Sequence, residues 1–192
     1  GSLFEEGSEN KKAAEIMTAE VDRLNRVISE LLEIARPSDI NPRQTDLPAL
    51  LQSSLRLVRQ EADAAGVNIE TVIDPGIEPL HIDPDRLIQA LINLYLNGIQ
   101  AMPDGGMLTI AARNLEQGAA ISVRDTGPGI PADTLSKIFD PYFTTKNTGT
   151  GLGLAVVQKV VEAHGGTIQV NSEPDRGTEV TLYLPQNHEG GK

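Results

Sequence analysis

The sequence predicts an α/β two-layer sandwich, a mixed β-sheet with helices on one face, preceded by one long helix of the coiled-coil type. Apolar residues recur at heptad spacing near the start of the chain. Further on, short runs of β-branched and apolar residues at strand period follow one another mostly through tight turns, and longer helical patterns separate them. With 192 residues the chain can bury one full core and still carry an accessory element.

From about Asn10 to Ala35, the residues Met17, Val21, Leu24, Ile28, Leu31 and Ala35 are spaced four, three, four, three and four apart. Val21 and Ile28 share one core position of a heptad, and Leu24 and Leu31 the other. Glu15, Glu20, Asp22, Arg23, Arg26 and Glu30 cover the outside. Such a stripe needs partners; packing onto the helix's own domain is the alternative. Arg36-Pro37-Ser38-Asp39 breaks the helix, and a linker with a second proline, Pro42, runs to Thr45.

Thr45 or Asp46 then caps a helix carrying Leu47, Leu50, Leu51, Leu55 and Val58, expected to end near Gly66. Strands are expected at Val67–Ile73, Met107–Arg113, Ala119–Arg124, Thr167–Asn171 and Glu179–Leu184, with a very short one at Leu80–Ile82. Helices are expected at Pro84–Met102, Ala132–Ile138 and Leu152–His164. No internal repeat or low-complexity segment is visible.

The chain holds 16 Lys and Arg against 27 Asp and Glu, a net charge of −11. Nothing in that balance would neutralise a run of phosphates, which argues against nucleic acid and against direct contact with an anionic membrane. An anionic ligand must therefore be held locally, by glycine loops, helix ends and a metal. The lack of cysteine excludes disulfides and thiolate zinc sites and suits a reducing compartment. His81, His164 and His188 show no metal-ligand spacing. No apolar run approaches a bilayer span and no signal peptide is visible, so the chain reads as soluble. A cloning scar would account for the opening Gly1-Ser2, which lacks an initiating Met, but the sequence does not decide it.

The helix after Asp83 is the most informative element. Asp83 suits the N-cap and Pro84 the first helical position. Leu87, Leu91, Leu94, Tyr95 and Ile99 help make it apolar nearly all round, leaving one polar stripe of Arg86, Gln89, Asn93, Asn97 and Gln100. Amides on a largely buried helix need polar partners. Asn97 offers a hard carbonyl oxygen of the kind Mg²⁺ accepts, and its nitrogen can donate to phosphate; a hydrogen-bonded core amide or a solvated edge is the plainer alternative.

Three further segments carry chemistry. In Val123-Arg124-Asp125-Thr126-Gly127-Pro128-Gly129-Ile130 a strand ends in a carboxylate and turns on two glycines. Asp125 could accept from an exocyclic amine while Gly127 and Gly129 let a flat ring approach, unless the segment is merely a turn. Gly149-Thr150-Gly151-Leu152-Gly153-Leu154 precedes an amphipathic helix and suits an anion at the helix start. It is no P-loop, because no Lys-Ser or Lys-Thr follows its last glycine. Between them, Phe139, Tyr142 and Phe143 are three of only six aromatics in the protein. They suggest a lid with one apolar anchor, from which Lys146 could meet a terminal phosphate; a packing cluster with a surface lysine is the alternative.

Taken in order, the asparagine helix, Asp-Thr-Gly-Pro-Gly, the aromatic segment and Gly-Thr-Gly-Leu-Gly resemble the N, first glycine, F and second glycine boxes of sensor histidine kinases. Gly177-Thr178 resembles the further glycine-threonine of that family. The resemblance covers Asp46 to Pro185, and Leu-Asn-Gly-Ile-Gln-Ala-Met with Asp-Pro-Tyr-Phe-Thr-Thr-Lys is most similar to the nitrogen-sensor and zinc-responsive branch. It implies residues 1–9 as a tag or the end of a first dimerisation helix and its turn, 10–36 as the second dimerisation helix, 37–45 as linker, 46–187 as the ATP-binding catalytic domain, and 188–192 as tail.

The resemblance further implies a Bergerat ATP-binding fold with ATP and Mg²⁺ as cofactors. Asp125 would read adenine beside Gly127, Gly129 and Ile130, with Thr178 supporting that pocket. Asn97 would hold the metal, Asn93 and Lys146 the phosphate end, and Thr150, Gly151, Leu152, Gly153 and Leu154 a lid hinged at Gly151 and Gly153. Gyrase-type and mismatch-repair ATPases of the superfamily carry a glutamate four residues before the metal asparagine, as base for water; Asn93 stands there and cannot take a proton. The γ-phosphoryl group is thereby left for an external nucleophile. The implied function is phosphorylation of a histidine, followed by relay to a response-regulator aspartate; a non-catalytic ATP-sensing scaffold and an ATP-hydrolysing domain are the alternatives. None of His81, His164 and His188 matches the phosphoacceptor, which is expected on the first dimerisation helix and absent from this chain, so self-phosphorylation is not expected. The implied partners are that helix, a second copy in the whole protein, and a cognate regulator, by branch an enhancer-binding transcription activator. The implied location is the cytoplasmic portion of an inner-membrane sensor.

Overall fold

A computed structural model describes residues 11, 14, 17, 18, 21, 40–146 and 149–186. The chain divides into two units, Gly1–Arg36 and Pro37–Lys192. In the first, Lys11, Ala14, Met17, Thr18 and Val21 are helical, and the Thr18 hydroxyl donates to the Ala14 carbonyl at 2.9 Å. Met17 and Val21, two residues of the heptad stripe, face solvent. The other stripe positions, the break at Arg36–Asp39 and the tail at 188–192 lie outside the described residues.

In the second unit the order is β1 (Arg43–Thr45), α1 (Leu47–Arg56), α2 (Arg59–Ala64), β2 (Val67–Ile73), β3 (Leu80–Ile82), α3 (Pro84–Gln100), β4 (Gly106–Leu115), β5 (Gly118–Asp125), α4 (Ala132–Leu135), α5 (Gly153–Ala163), β6 (Thr167–Ser172) and β7 (Thr178–Pro185). Five strands form one mixed sheet in the order β2-β4-β5-β7-β6, and β1 and β3 form a separate antiparallel pair. Within the large sheet β2 runs parallel to β4, and the other neighbours are antiparallel. The parallel pair requires a crossover, which β3 and α3 provide.

The register decides which side chains share a face. Ile110 stands opposite Val123, Ala112 opposite Ile121, Ile121 opposite Leu182 and Val123 opposite Val180, and all of these are buried. They line the side covered by helices; α3 packs against α5, α1 and β5. Leu108 stands opposite Asp125 in the same series, so the last side chain of β5 belongs to this covered face.

The predicted helix from Asp46 to near Gly66 is interrupted. Leu57 and Val58 donate to the Ser54 and Leu55 carbonyls, three residues back rather than four, and Val58 leaves the helical region at φ −113°, ψ 5°. The tightened turn shifts the helical phase so that Val58 and Ala62 are both buried while Leu57 is left exposed. The helix expected at 132–138 is a four-residue turn of helix, continued by irregular turns. The stretch expected to be linker up to Thr45 contains β1, whose pairing with β3 supplies the backbone partners that its own sequence does not signal; the remaining elements agree with expectation to within two residues. Asp83 caps α3, its carboxylate accepting from the Asp85 and Arg86 amides at 3.1 Å each. Tyr95 of α3 is fully buried with its hydroxyl 3.3 Å from Ser54 Oγ, and burial pushes its pKa up to about 12.

Candidate functional site

Along α3 the residues Asn93 and Asn97 are half-buried and Gln100 is exposed, one turn after another on the stripe. Between the last two lies Gly98, buried within the helix. A Cβ there would come within 2.6 Å of Leu108 Cδ1 and 3.5 Å of Asp125 Cβ. A helix-interior glycine costs about 1 kcal/mol relative to alanine; here it lets α3 lie directly over the end of β5, against Asp125.

Asp125 is 8% exposed, and its Oδ1 accepts from the Gly127 amide at 2.8 Å and the Thr178 amide at 3.2 Å. Burial raises the pKa of its carboxyl, opposed by those two amides and by the Lys146 charge. The glycines around it are required by contact. Gly177 has φ +81°, and a Cβ on it would stand 2.0 Å from the Asp125 carbonyl oxygen; at Gly129, φ +70°, it would stand 2.1 Å from the Glu173 carbonyl oxygen. The turn after β5 is thereby pressed onto the β6–β7 turn. Ser172 joins the two: its Oγ accepts from the Ile130 amide at 2.8 Å and lies 2.9 Å from Thr178 Oγ1.

The aromatic segment closes the other end. Tyr142 adopts φ 69° with its ring exposed, and its amide donates to the Gly151 carbonyl at 2.9 Å. Gly151, at φ +69°, is so close to the Tyr142–Phe143 backbone that a Cβ would stand 2.4 Å from Tyr142 C. Lys146 reaches back to α3, its Nζ donating to Gln100 Oε1 at 3.1 Å, to the Asn97 carbonyl at 3.3 Å and to Asn97 Oδ1 at 3.5 Å. Desolvation lowers its pKa, and the Asp125 charge raises it. Asn93 Nδ2 donates to the Gly153 carbonyl at 3.4 Å, and a Cβ on Gly153 would lie 3.9 Å from Asn97 Nδ2. The glycine stretch thus opens α5 directly over the two asparagines. Leu152 at the N-cap makes no side-chain cap bond, although its own amide meets Thr150 Oγ1 at 3.3 Å.

Two clusters result on one covered face of the sheet, Asp125 with Gly127 and Thr178, and Asn93 and Asn97 with Lys146 and Gly153. Gly129 and Ile130 are engaged with Glu173 and Ser172, Gly151 with the aromatic segment. Leu152 is buried, and Leu154 is half-buried on α5. Gln100, Gly98 and Ser172 were not singled out from sequence for the contacts they make. A glycine inside an apolar helix was a signal for Gly98; nothing local marks Ser172.

Among the described residues no group of three or more His, Cys, Asp or Glu could hold a metal. Asn97 Oδ1 is a single neutral oxygen already facing an ammonium. That suits Mg²⁺ only where a ligand's phosphates and water provide most of the octahedron, as this ion prefers. On those terms the residues fit.

Comparison with known proteins places the chain in a family. The profile described as histidine kinase-, DNA gyrase B-, and HSP90-like ATPase matches residues 82–188, more than half of the chain, and spans both clusters. The sensor histidine kinase ZraS of Escherichia coli K12 is 48% identical over 181 residues, 94% of this chain and 39% of ZraS. The chain thus spans about two fifths of that relative's length. Full-length ShkA, solved in complex with AMPPNP, superposes with a TM-score of 0.79 at 26% identity over 95% of this chain and 40% of ShkA. ThkA, solved with the response regulator TrrA, gives 0.80 at 27% identity over 94% of this chain and 52% of ThkA. With the asparagine helix, both glycine turns and the lysine of the aromatic segment within the matched region, the chain belongs to the family of histidine kinase-, DNA gyrase B- and HSP90-like ATPases.

Proposed function

We propose that residues 46–187 are the ATP-binding catalytic part of a sensor histidine kinase, following a dimerisation helix at 10–36 and a linker at 37–45. The observation that carries this is the approach of Lys146 Nζ to Asn97 Oδ1, 3.5 Å apart, on the same helix that covers Asp125. Asp125 and Lys146 both stand against the last turn of α3, close enough for each charge to act on the other, and Asn93 with the start of α5 lies one turn earlier. A carboxylate for the base and a cation beside amides for the phosphates are what a purine nucleotide requires.

Asp125 Oδ2 accepts from the exocyclic amine of adenine, because Oδ1 is already committed to the Gly127 and Thr178 amides. Gly127, Gly129 and Ile130 border the ring, and Thr178 holds the pocket through Ser172. Lys146 leaves Asn97 for the γ-phosphate as a point charge. Asn93 and Asn97 orient the phosphates, and Thr150, Gly151, Leu152, Gly153 and Leu154 cover them at the uncapped start of α5. Asn97 would hold Mg²⁺, which would supply neutralisation of the phosphate charge.

An imidazole nitrogen of a partner histidine attacks the γ-phosphorus, and the bond from that phosphorus to the β–γ bridging oxygen breaks. ADP leaves with the electron pair. An aspartate of a response regulator then takes the phosphoryl group from the imidazole. Asn93, an amide, takes no proton from water, which disfavours hydrolysis. The relatives support this: AMPPNP is bound by ShkA and TrrA by ThkA. The phosphoacceptor comes from a dimerisation helix, the whole protein pairs with a second copy, and the regulator is of the enhancer-binding class. Among the described residues no helix is long and apolar enough to cross a membrane; the fragment lies on the cytoplasmic side of a membrane sensor.

The test is a calorimetric titration of ATP with and without Mg²⁺ on the unsubstituted chain, Asn97→Ala and Asp125→Asn. Metal-dependent binding is expected, its metal dependence lost with Asn97→Ala and its affinity weakened with Asp125→Asn. An unsubstituted chain that binds no ATP would sink the proposal. Rapid turnover of ATP to ADP and phosphate without a histidine acceptor would instead favour a hydrolase.

A further inference from the structure

His164 is the C-cap residue of α5, is only 1% exposed, and has no place in the nucleotide chemistry above. Its Nδ1 lies 2.7 Å from the Val160 carbonyl, and its Nε2 lies 2.9 Å from the Asp83 amide. A carbonyl can only accept and an amide N–H can only donate. The ring is therefore neutral, with its proton on Nδ1 and a lone pair on Nε2. Asp83 is the N-cap of α3, so the imidazole joins the end of the glycine helix to the beginning of the asparagine helix.

A further polar contact between these helices joins Asn93 to Gly153. One pin lies at residues 83 and 164 and the other at 93 and 153, so α3 and α5 run antiparallel with the pins about 15 Å apart at helical rise. The apolar packing between α3 and α5 is non-directional, so directional polar contacts at its two ends are what fix the register of one helix on the other. The Asp83 carboxylate cannot replace the first pin, because it is taken up by the Asn41, Asp85 and Arg86 amides. The adenine-side cluster touches α3 at Gly98 but not α5: Asp125 is held by the amides of Gly127 and Thr178 and lies under Gly98, so a shift of α5 alone leaves it in place.

We infer that His164 is a positioning residue for the phosphate end of the site, setting the glycine-rich start of α5 over Asn93 and Asn97 through its Nε2 contact with Asp83. This rests on the nucleotide reading above and adds a residue to it. A residue of merely structural value would affect both ends of the site equally; one that aligns α3 with α5 affects the phosphates alone.

The test is titration of the chain, followed by NMR, with Mg-ATP and separately with adenosine. His164→Asn keeps a group near the Nδ1 position but does not reach Asp83. It is expected to weaken Mg-ATP about tenfold and adenosine less than about twofold. His164→Gln is longer, and its amide oxygen can accept from Asp83 N–H; it is expected to recover Mg-ATP affinity to within about threefold of the unsubstituted chain. Equal losses for both ligands, an unchanged Mg-ATP affinity in His164→Asn, or no recovery in His164→Gln would each overturn the inference alone. An unsubstituted chain that binds neither ligand would overturn it together with the nucleotide reading. Where His164→Asn does not fold, the Asp83 amide in the unsubstituted chain reads the same contact. Saturating Mg-ATP is expected to slow its hydrogen exchange at least about fivefold and adenosine to leave it unchanged; equal effects of the two ligands overturn the inference.

Discussion

The two ends of the candidate site are built differently. At the Asp125 end the partners are backbone groups of the sheet and its turns: amides at 2.8 and 3.2 Å, and glycines whose left-handed φ brings carbonyls to where no side chain fits. At the Lys146 end the donors are side chains, Lys146 Nζ at 3.5 Å to Asn97 Oδ1, 3.3 Å to the Asn97 carbonyl and 3.1 Å to Gln100 Oε1, and Asn93 Nδ2 at 3.4 Å to the Gly153 carbonyl. A backbone cradle cannot adjust without moving strands. A lysine held by neutral oxygens can exchange those partners for phosphate at little cost. On the proposed reading, the end that would take the base is fixed before a ligand arrives, and the end that would take the phosphates is completed by it.

Substitutions can break this contrast, most strongly at the rigid end. Gly177→Ala places a methyl group against the Asp125 carbonyl at positive φ. A loss of about 3 kcal/mol is expected from strain and overpacking together, seen as a lower urea midpoint, with ATP affinity lost along with the turn. Retention of both would mean that the turn yields and the end is not rigid.

The acidity of Asp125 gives the next largest effect. Its raised pKa means that the folded state holds this proton at pH values where an unfolded aspartate has lost it. Ionising Asp125 therefore costs folding stability as pH rises from the ordinary carboxylate value through the raised one. Adenine needs the ionised acceptor, so ATP affinity is expected to fall about tenfold per pH unit below the raised value. Asp125→Asn should flatten that profile; a profile that persists in the variant would assign it to another group.

At the adjustable end the expected changes are smaller. Lys146→Met keeps most of the side-chain length and removes the charge. It is expected to weaken ATP about tenfold and ADP hardly at all, since only the terminal phosphate is lost as a partner. Equal losses for the two nucleotides would place the lysine elsewhere. Gln100→Ala removes one exposed oxygen from the Lys146 ammonium, and a change of about 0.5 kcal/mol or less is expected in stability, with ATP affinity unchanged within about twofold. A larger loss of ATP affinity would make Gln100 part of the phosphate site rather than a resting place for the lysine.

Much of the fold was legible because local rules and the tertiary solution agreed. Asp83-Pro84 opens a helix by capping chemistry alone, and β2 and β3 begin and end at the residues where alternation and turn signals placed them. The amide stripe of α3 stood out because polar residues recurred at helical spacing on an apolar helix. The break at Leu57–Val58 was not legible, since nothing in that stretch forbids a continuous helix; the need to bury Val58 and Ala62 together imposed it. The role of His164 was not legible either, because its partner, 81 residues earlier, belongs to no local pattern.

By itself, then, the sequence determined the elements, their caps and turns, and the chemical type of each group in the site, because these depend on residues within a turn or two of one another. Tertiary structure decided which face of β5 carries Asp125, that Gly98 opens α3 above it, that Ser172 ties the two glycine turns, and that Lys146 meets Asn97. Period-two alternation gives the two faces of a strand but not the one that helices will cover. That choice follows from the pairing register and from burying the most apolar surface, which are properties of the assembled sheet.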